Sequence, residues 1–115
     1  MALIKNLYVD QGATFAAAIT VTNVSLAAQL ELENCQIYAH IKKSSFSTNV
    51  TAEFHCTYTA ETNQIMIYMT AEETAAVYPG RYEYDVLVVD TNRNSTTKIM
   101  GGIVHFDATT TKING

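Results

Sequence analysis

The sequence is poor in charge, contains no tryptophan and a single proline, and has no long apolar run. Charged residues make up 16% of its 115 residues, below the roughly 25% of an average soluble protein. Because 48% of the residues are hydrophobic, the composition predicts a folded domain and argues against disorder. Seven Lys and Arg against eleven Asp and Glu give a net charge of −4, and the cations are scattered. Phosphate backbones need clustered cations, so we expect no nucleic-acid partner.

The sequence also lacks the patterns that direct a chain to export or to insertion in a membrane. The uncharged apolar stretches are far shorter than the ~20 residues that span a bilayer, so we expect no contact with a membrane. Residues 1–15 show no signal-peptide pattern, because Lys5 and Asp10 interrupt the apolar residues. We therefore expect synthesis in the cytoplasm. In that compartment the two cysteines, Cys35 and Cys56, are predicted to be buried free thiols.

Apolar and polar residues alternate along most of the chain, which is typical of β-strands. Between residues 35 and 42, for example, Cys35, Ile37, Ala39 and Ile41 share one parity, and polar side chains take most of the other. About seven strands are predicted in this way, near residues 4–9, 15–22, 35–42, 53–58, 65–69, 81–90 and 96–106.

The connections between these strands give further expectations. A loop centred near residues 46–47 closes a hairpin whose paired residue numbers sum to about 93 or 94, which keeps Cys35 from facing Cys56. The glycine pair at residues 101–102 predicts a bulge or a sharp bend in the last strand.

One segment has a helical pattern instead. Thr70 suits a helix N-cap, and Glu73 follows three residues later, at the spacing of a capping box. Pro79 and Gly80 then end the segment. We expect one short helical crossover turn near residues 70–78.

Short strands joined by turns, with no repeat and no change of composition, predict one domain over residues 1–115. The predicted fold class is all-β, an immunoglobulin-like antiparallel β-sandwich of about seven strands with that single helical turn. Residues 24–33 suit either a loop that plugs the core or an additional strand.

Three stretches resemble small modules found in virion proteins of tailed bacteriophages. They are residues 8–15 (YVDQGATF), residues 70–90 with their PGRY turn, and residues 102–104 (GIV). The resemblance implies an immunoglobulin-like β-sandwich, similar to the N-terminal domains of some baseplate and fibre-attachment proteins, which binds other virion subunits and does no chemistry. Residues 34–36 (NCQ) and 91–94 (TNRN) depart from the family pattern, which has a glycine and an aromatic residue at the entry to the third strand and a glycine in the later turn. These departures leave open which position in the particle the chain occupies.

Several tyrosines are candidates for structural or interface roles. Tyr82 follows Gly80 and the helical turn, as in the tyrosine corner of immunoglobulin-type sandwiches, where the phenol bonds to nearby backbone; the alternative is an ordinary core aromatic. Tyr38, Tyr68 and Tyr78 fall at outward or loop positions. Because tyrosine is enriched at protein interfaces, these three are predicted interface residues. The alternative is that they are scattered exposed aromatics.

Motifs for catalysis and metal binding are weak. His40 and His55, with His105 or Asp107 as a third ligand, could hold a metal ion, but no pair has the spacing of a known metal motif. No nucleophile elbow, phosphate-binding glycine loop or Cys-His-Asn signature occurs. We therefore expect no cofactor and no enzymatic activity, with a metal-dependent enzyme at the three histidines as a remaining hypothesis.

The sequence therefore predicts a non-catalytic structural protein of a tailed-phage virion that decorates or joins head, neck, tail or baseplate subunits. Its partners would be other virion subunits, including copies of itself in a symmetric array, with free edge strands available for strand addition. We expect it to be made in the host cytoplasm and to reside in the virion. Since the chain ends at Gly115 with no appended domain, we expect a stand-alone protein. The alternative function is binding of carbohydrate or a host surface.

Overall fold

The computed structural model of the chain describes residues 3–20, 35–44, 46–59, 62, 64–90 and 94–109. Within these ranges the chain is mostly β-strand, which confirms the predicted all-β class, and residues 24–33 lie outside the described residues. The elements in chain order are β1 (Leu3–Ile4), β2 (Leu7–Asp10), β3 (Phe15–Thr20), β4 (Gln36–Lys42), β5 (Ala52–Thr59), β6 (Gln64–Met69), α1 (Ala71–Ala75), β7 (Gly80–Asp90) and β8 (Ser95–Asp107).

The strands form one curled sheet in the order β1-β8-β7-β4-β5-β6-β3, and β2 also pairs with β8. The curl passes through β5, because residues 52–54 pair with β4 whereas residues 55–59 pair with β6. The sheet therefore continues where two separate stacked sheets were predicted. A second difference is direction, since β1 and β2 run parallel to β8 while the other pairs are antiparallel.

Side chains from both halves of the curled sheet meet in one core. Phe54 on β5 contacts Phe15 on β3 at a ring-centroid distance of 5.6 Å and Tyr84 on β7 at 5.9 Å. Ile65 on β6 and Val86 on β7 are fully buried. Burying each side chain of this size stabilises the fold by about 1.5–3 kcal/mol. The inward apolar side chains that the alternation predicts therefore stabilise the curled sheet.

The hairpin of β4 and β5 has the predicted register. Ala39 pairs with Phe54 and Ile41 pairs with Ala52, and each pair of numbers sums to 93. Beyond Phe54, β5 turns to β6, so Cys56 lies opposite Ile67 and away from β4. The register prediction is confirmed where the two strands pair.

The short helix α1 connects β6 to β7, which are separated in the sheet by β4 and β5. Its N-cap is Thr70, whose side chain accepts a hydrogen bond from the Glu73 backbone at 3.2 Å. The Glu73 carboxylate in turn accepts one from the Thr70 backbone at 2.9 Å, which completes the predicted capping box. The helix ends at Ala76, three residues before Pro79. Within the described ranges, no helix has the length and apolar character needed to cross a membrane.

The turn between β2 and β3 is attached to α1 by buried Thr74. The Thr74 hydroxyl lies 2.9 Å from the carbonyl oxygen of Ala13 and accepts a hydrogen bond from the Gly12 backbone at 3.0 Å. The Gln11 side-chain amide donates to the Val77 carbonyl at 3.0 Å. This turn and the helix therefore form one packed unit, although more than 60 residues separate them in the sequence.

The N-terminal strand is broken at Lys5 and Asn6, where a single strand over residues 4–9 was predicted. The break passes so close to β8 that a Cβ atom on Gly102 would lie 2.4 Å from the Lys5 carbonyl oxygen. The Tyr84 hydroxyl donates to that oxygen at 2.5 Å, and the Asn6 side chain accepts from the Ile103 backbone at 3.2 Å. Burial raises the pKa of Tyr84 to about 12, so this donor keeps its proton.

The irregularity predicted at the two glycines of β8 lies slightly earlier. Val86 pairs with Met100 and Leu87 pairs with Lys98, so Ile99 is the additional residue. Gly101 and Gly102 themselves pair regularly with β7. The lack of a side chain at Gly102 instead gives room to the break in the N-terminal strand.

Candidate interaction surface

The curled sheet presents two outer surfaces of different chemistry. The first, here called the neutral face, consists of the outward side chains of β3, β6 and residues 57–59 of β5. These are Ala16, Ala18, Thr20, Thr57, Thr59, Gln64, Met66 and Tyr68. They carry no formal charge at neutral pH, and most are small, so covering this face requires little desolvation of charge and little loss of side-chain entropy.

Strand β3 is the edge of the sheet on the side of the neutral face. Among the described strands it pairs with β6 alone, through six consecutive residues without a register shift. Its side chains carry no charge, and it contains no proline. Natural edge strands are usually protected by charge, proline, a bulge or short length. Within the described part of the chain, β3 has none of these protections.

A histidine–glutamate pair borders the neutral face beside α1. The His55 Nε2 atom lies 2.7 and 2.9 Å from the two carboxylate oxygens of Glu73, and the Tyr68 ring stacks on His55 at 5.0 Å. The pKa of Glu73 is lowered, first because its carboxylate accepts the Thr70 backbone hydrogen bond and second because it bonds to His55. This pair therefore joins β5 to the helix cap.

The second surface, here called the charged face, consists of the outward side chains of β4, β7 and β8. Lys42 lies opposite Glu83 on the neighbouring strand, and His40 lies opposite Asp85. Together with Arg81, Lys98 and the exposed residues of β1, these side chains line a groove of about 590 Å³. The groove is lined by charges of both signs and by apolar side chains.

The three predicted interface tyrosines lie on different parts of the molecule. Tyr38 is 44% exposed on the charged face, opposite Leu87. Tyr68 is partly buried on the neutral face beside His55. Tyr78 follows α1 and is 83% exposed. The structure does not bring these tyrosines together into one patch, and their interface role remains a prediction.

Tyr82 makes the hydrogen bond predicted for a tyrosine corner. Its hydroxyl donates to the Tyr78 carbonyl oxygen at 2.7 Å, across the connection from α1 to β7. Its ring packs edge-on against Phe106 at 5.5 Å, and Lys43 Nζ lies 4.7 Å from the ring centre. Tyr82 is thus a core aromatic whose hydroxyl also bonds to the backbone of the crossover. Gly80 begins β7 two residues earlier, with φ of +153°.

The three candidate metal-binding histidines occupy three separate environments. His40 lies 3.2 Å from Glu53, His55 contacts Glu73, and the His105 ring stacks on Tyr8 at 5.1 Å. No group of three His, Cys, Asp or Glu residues in the described part of the chain is arranged to hold a metal ion. The metal hypothesis, including Asp107 as a ligand, has no geometric support.

Cys35 and Cys56 are not joined by a disulfide, and both are partly buried where fully buried thiols were predicted. Cys56 donates to the Phe54 carbonyl oxygen at 3.7 Å. Burial, with a smaller effect of the Glu53 charge, raises the pKa of Cys56 to about 11. Since the thiolate is the reactive form, Cys56 is a poor nucleophile at neutral pH.

Sequence reasoning predicted free edge strands but did not identify β3 as one of them, and it missed exposed apolar residues such as Ile4, which is 82% exposed. Sequence can show that residues 15–20 have no charge, and that is the signal that could have marked β3. It cannot show that this strand ends the sheet, because strand order is set by contacts between distant residues.

Comparison with known proteins adds information about the fold. No family model matches the chain, and no curated protein matches it. Among solved structures, it is similar to the crystal structure of InlP from Listeria monocytogenes, with a TM-score of 0.55 and 17% sequence identity. The similarity covers 90% of this chain and 26% of InlP, so the chain spans about a quarter of that protein's length. At this identity the likeness supports the fold alone.

Proposed function

We propose that the chain is a non-catalytic structural module that assembles with other protein subunits through its neutral face and the adjoining edge strand. The observation that carries this proposal is the segregation of charge. The neutral face has no Asp, Glu, Lys or Arg among its outward side chains, whereas the charged face carries charges of both signs. An uncharged surface is the easier one to bury against a partner.

The setting we propose is the particle of a tailed bacteriophage, reached after synthesis in the host cytoplasm. The support is the resemblance of residues 8–15, 70–90 and 102–104 to virion modules. Two of these stretches are in direct contact, since Thr74 in α1 bonds to the turn at Gly12 and Ala13. The motifs therefore include residues that hold the fold together, as is expected of a shared structural module.

We also propose that the curled sheet is a variant of the immunoglobulin-like sandwich. Its support is the change of partner along β5, which divides the sheet into two parts that face each other across the core. The bond from Tyr82 to the Tyr78 carbonyl has the arrangement of a tyrosine corner.

The assembly proposal is tested in particles of a phage that encodes the chain. Purified particles should contain it at a fixed copy number by mass spectrometry, and a cryo-EM map should show its neutral face covered by a neighbouring subunit. Met66→Glu places a charge on the neutral face and should reduce incorporation by about tenfold. Gln36→Glu places the same charge on the charged face, at an exposed position of β4, and should leave incorporation unchanged. Absence of the chain from particles, or an equal effect of both variants, would contradict the proposal.

Carbohydrate binding is a second candidate, and the groove of the charged face favours it. Carboxylate, guanidinium and ammonium groups can bond to sugar hydroxyls, while Leu87 and Ile103 offer apolar contact to sugar rings. A glycan array with the purified chain tests this alternative. Binding that is lost in Asp85→Asn and kept in Met66→Glu would support it.

A further inference from the structure

We propose that the partner on the β3 edge is a second copy of this chain, joined by antiparallel pairing of β3 with β3 around a two-fold axis at Ala17. The inference rests on the proposed function, because it specifies which subunit the edge strand binds. The resulting sheet would run without interruption from one copy into the other.

The first argument is that the core is incomplete at β3. Its three inward side chains, Phe15, Ala17 and Ile19, pack against the core but remain partly exposed. The inward side chains of the neighbouring strand β6 are fully covered, with Ile65 and Ile67 at 0% exposure. A further strand beside β3 would continue the same inward row and bury what β3 leaves exposed.

The second argument is that β3 is complementary to itself. Antiparallel pairing around Ala17 places Phe15 opposite Ile19 of the other copy, and Ala17 opposite Ala17. On the outer side it places Ala16 opposite Ala18. Large side chains then meet large ones in the inward row, and alanines meet alanines outside. Such a pairing brings no like charges together within the strand, although each chain carries a net charge of −4.

The oligomeric state in solution is the first test. Analytical ultracentrifugation of the wild-type chain should show a reversible dimer. Ala17→Lys puts an inward charge at the two-fold axis and should weaken the dimer by about tenfold or more. Ala17→Met adds a side chain of similar length without charge and is the matched control, which should change the dissociation constant much less. Circular dichroism verifies that both variants keep their strand content.

Cysteine cross-linking tests the register independently, and it remains informative if Ala17→Lys fails to fold. In Ala17→Cys the two thiols face each other, with Cα atoms about 5 Å apart, and mild oxidation should give a disulfide between the two copies. In Ala18→Cys the two Cα atoms are about 8 Å apart in this register, beyond disulfide reach. Mass spectrometry of the linked peptides distinguishes these products from links to Cys35 or Cys56.

A wild-type chain that stays monomeric at about 100 μM, far above the micromolar affinities of specific interfaces, would overturn the inference. So would a dimer that is insensitive to Ala17→Lys and gives no link in Ala17→Cys. If the chain were monomeric and still entered particles through its neutral face, the self-pairing would be wrong and the assembly proposal would stand. If the chain formed the dimer but did not bind particles, the assembly proposal would be wrong and the self-pairing would stand.

Discussion

The two edges of the sheet are built in contrasting ways. At one edge, β1 has two residues and β2 has four, with a break between them at Lys5 and Asn6 that is fixed by side chains of β7 and by the backbone of β8. At the other edge, β3 runs for six residues without charge or register shift. The first has the features by which proteins prevent unwanted strand addition, and the second lacks them. The same sheet therefore protects one edge and, within the described residues, leaves the other without these protections.

The largest expected effect is on the protected edge, through Gly102→Ala. The added Cβ would collide with the Lys5 carbonyl oxygen, and the φ of +156° is unfavourable for alanine. We expect a loss of about 3 kcal/mol in the free energy of unfolding, measured by urea denaturation. Gly12→Ala is the matched control, because its φ is +83° but nothing lies within 4 Å, so it should cost about 1 kcal/mol. Equal losses of unfolding free energy in the two variants would show that the close approach of Lys5 does not require glycine at position 102.

The connection between the two edges is the target of a second prediction. Thr74→Val keeps the shape of the side chain but removes the hydroxyl that serves Gly12 and Ala13, in the turn from β2 to β3. It should destabilise the protein by about 2 kcal/mol, because two backbone groups lose a partner. Thr74→Ser retains the hydroxyl and should cost about 0.8 kcal/mol for the lost methyl group. A lower melting temperature for Thr74→Ser than for Thr74→Val would contradict this role of the hydroxyl.

A smaller effect is expected from two phenol hydroxyls. Tyr84→Phe removes the bond to Lys5, and Tyr82→Phe removes the bond to Tyr78, each at a cost of about 1 kcal/mol. The two variants should differ in hydrogen exchange. Tyr84→Phe should speed exchange in β1 and β2, whereas Tyr82→Phe should act on the connection from α1 to β7. Identical hydrogen-exchange maps would show that the two hydroxyls do not stabilise different parts of the fold.

The smallest effect is a pH dependence at Glu73, beside the open half of the sheet. The folded-state pKa of Glu73 is lowered, so its contribution to stability is present above the ordinary glutamate value of 4.5 and is lost as the pH falls through the folded-state value. Glu73→Gln should remove this part of the acid sensitivity below about pH 4.5. Glu72→Gln removes an equal charge from the same helix without touching the cap, and its pH profile should follow that of the wild type.

The sequence predicted those features that depend on neighbouring residues. The capping box of Thr70 and Glu73, the register of β4 with β5, and the Tyr82 bond each follow from spacing within a few tens of residues. Alternation also identified the core side of residues 35–42, where Ala39 and Ile41 are buried. Local rules suffice here because a turn, a cap or a short hairpin is set by its own residues.

The features that the sequence did not predict depend on distant contacts. Nothing near Lys5 marks a break, since its cause is the approach of Gly102 almost a hundred residues later. The curl of the sheet arises because β5 exchanges β4 for β6, and a polar–apolar pattern is the same with either neighbour. The candidate surface follows from this strand order. Residues 15–20 could be recognised as uncharged, but not as an edge.

The pairing of the first strands with the last one has a consequence for synthesis on the ribosome. Leu7 lies beside Val104, so the N-terminal segment lacks its partner in the sheet until β8 has left the exit tunnel. A nascent chain stopped before β8 cannot close this side of the sheet, whereas β3, β5 and β6 can already meet. During slow translation, β3 would therefore form its pair with β6 before β8, which pairs with the N-terminal strands, has been synthesised.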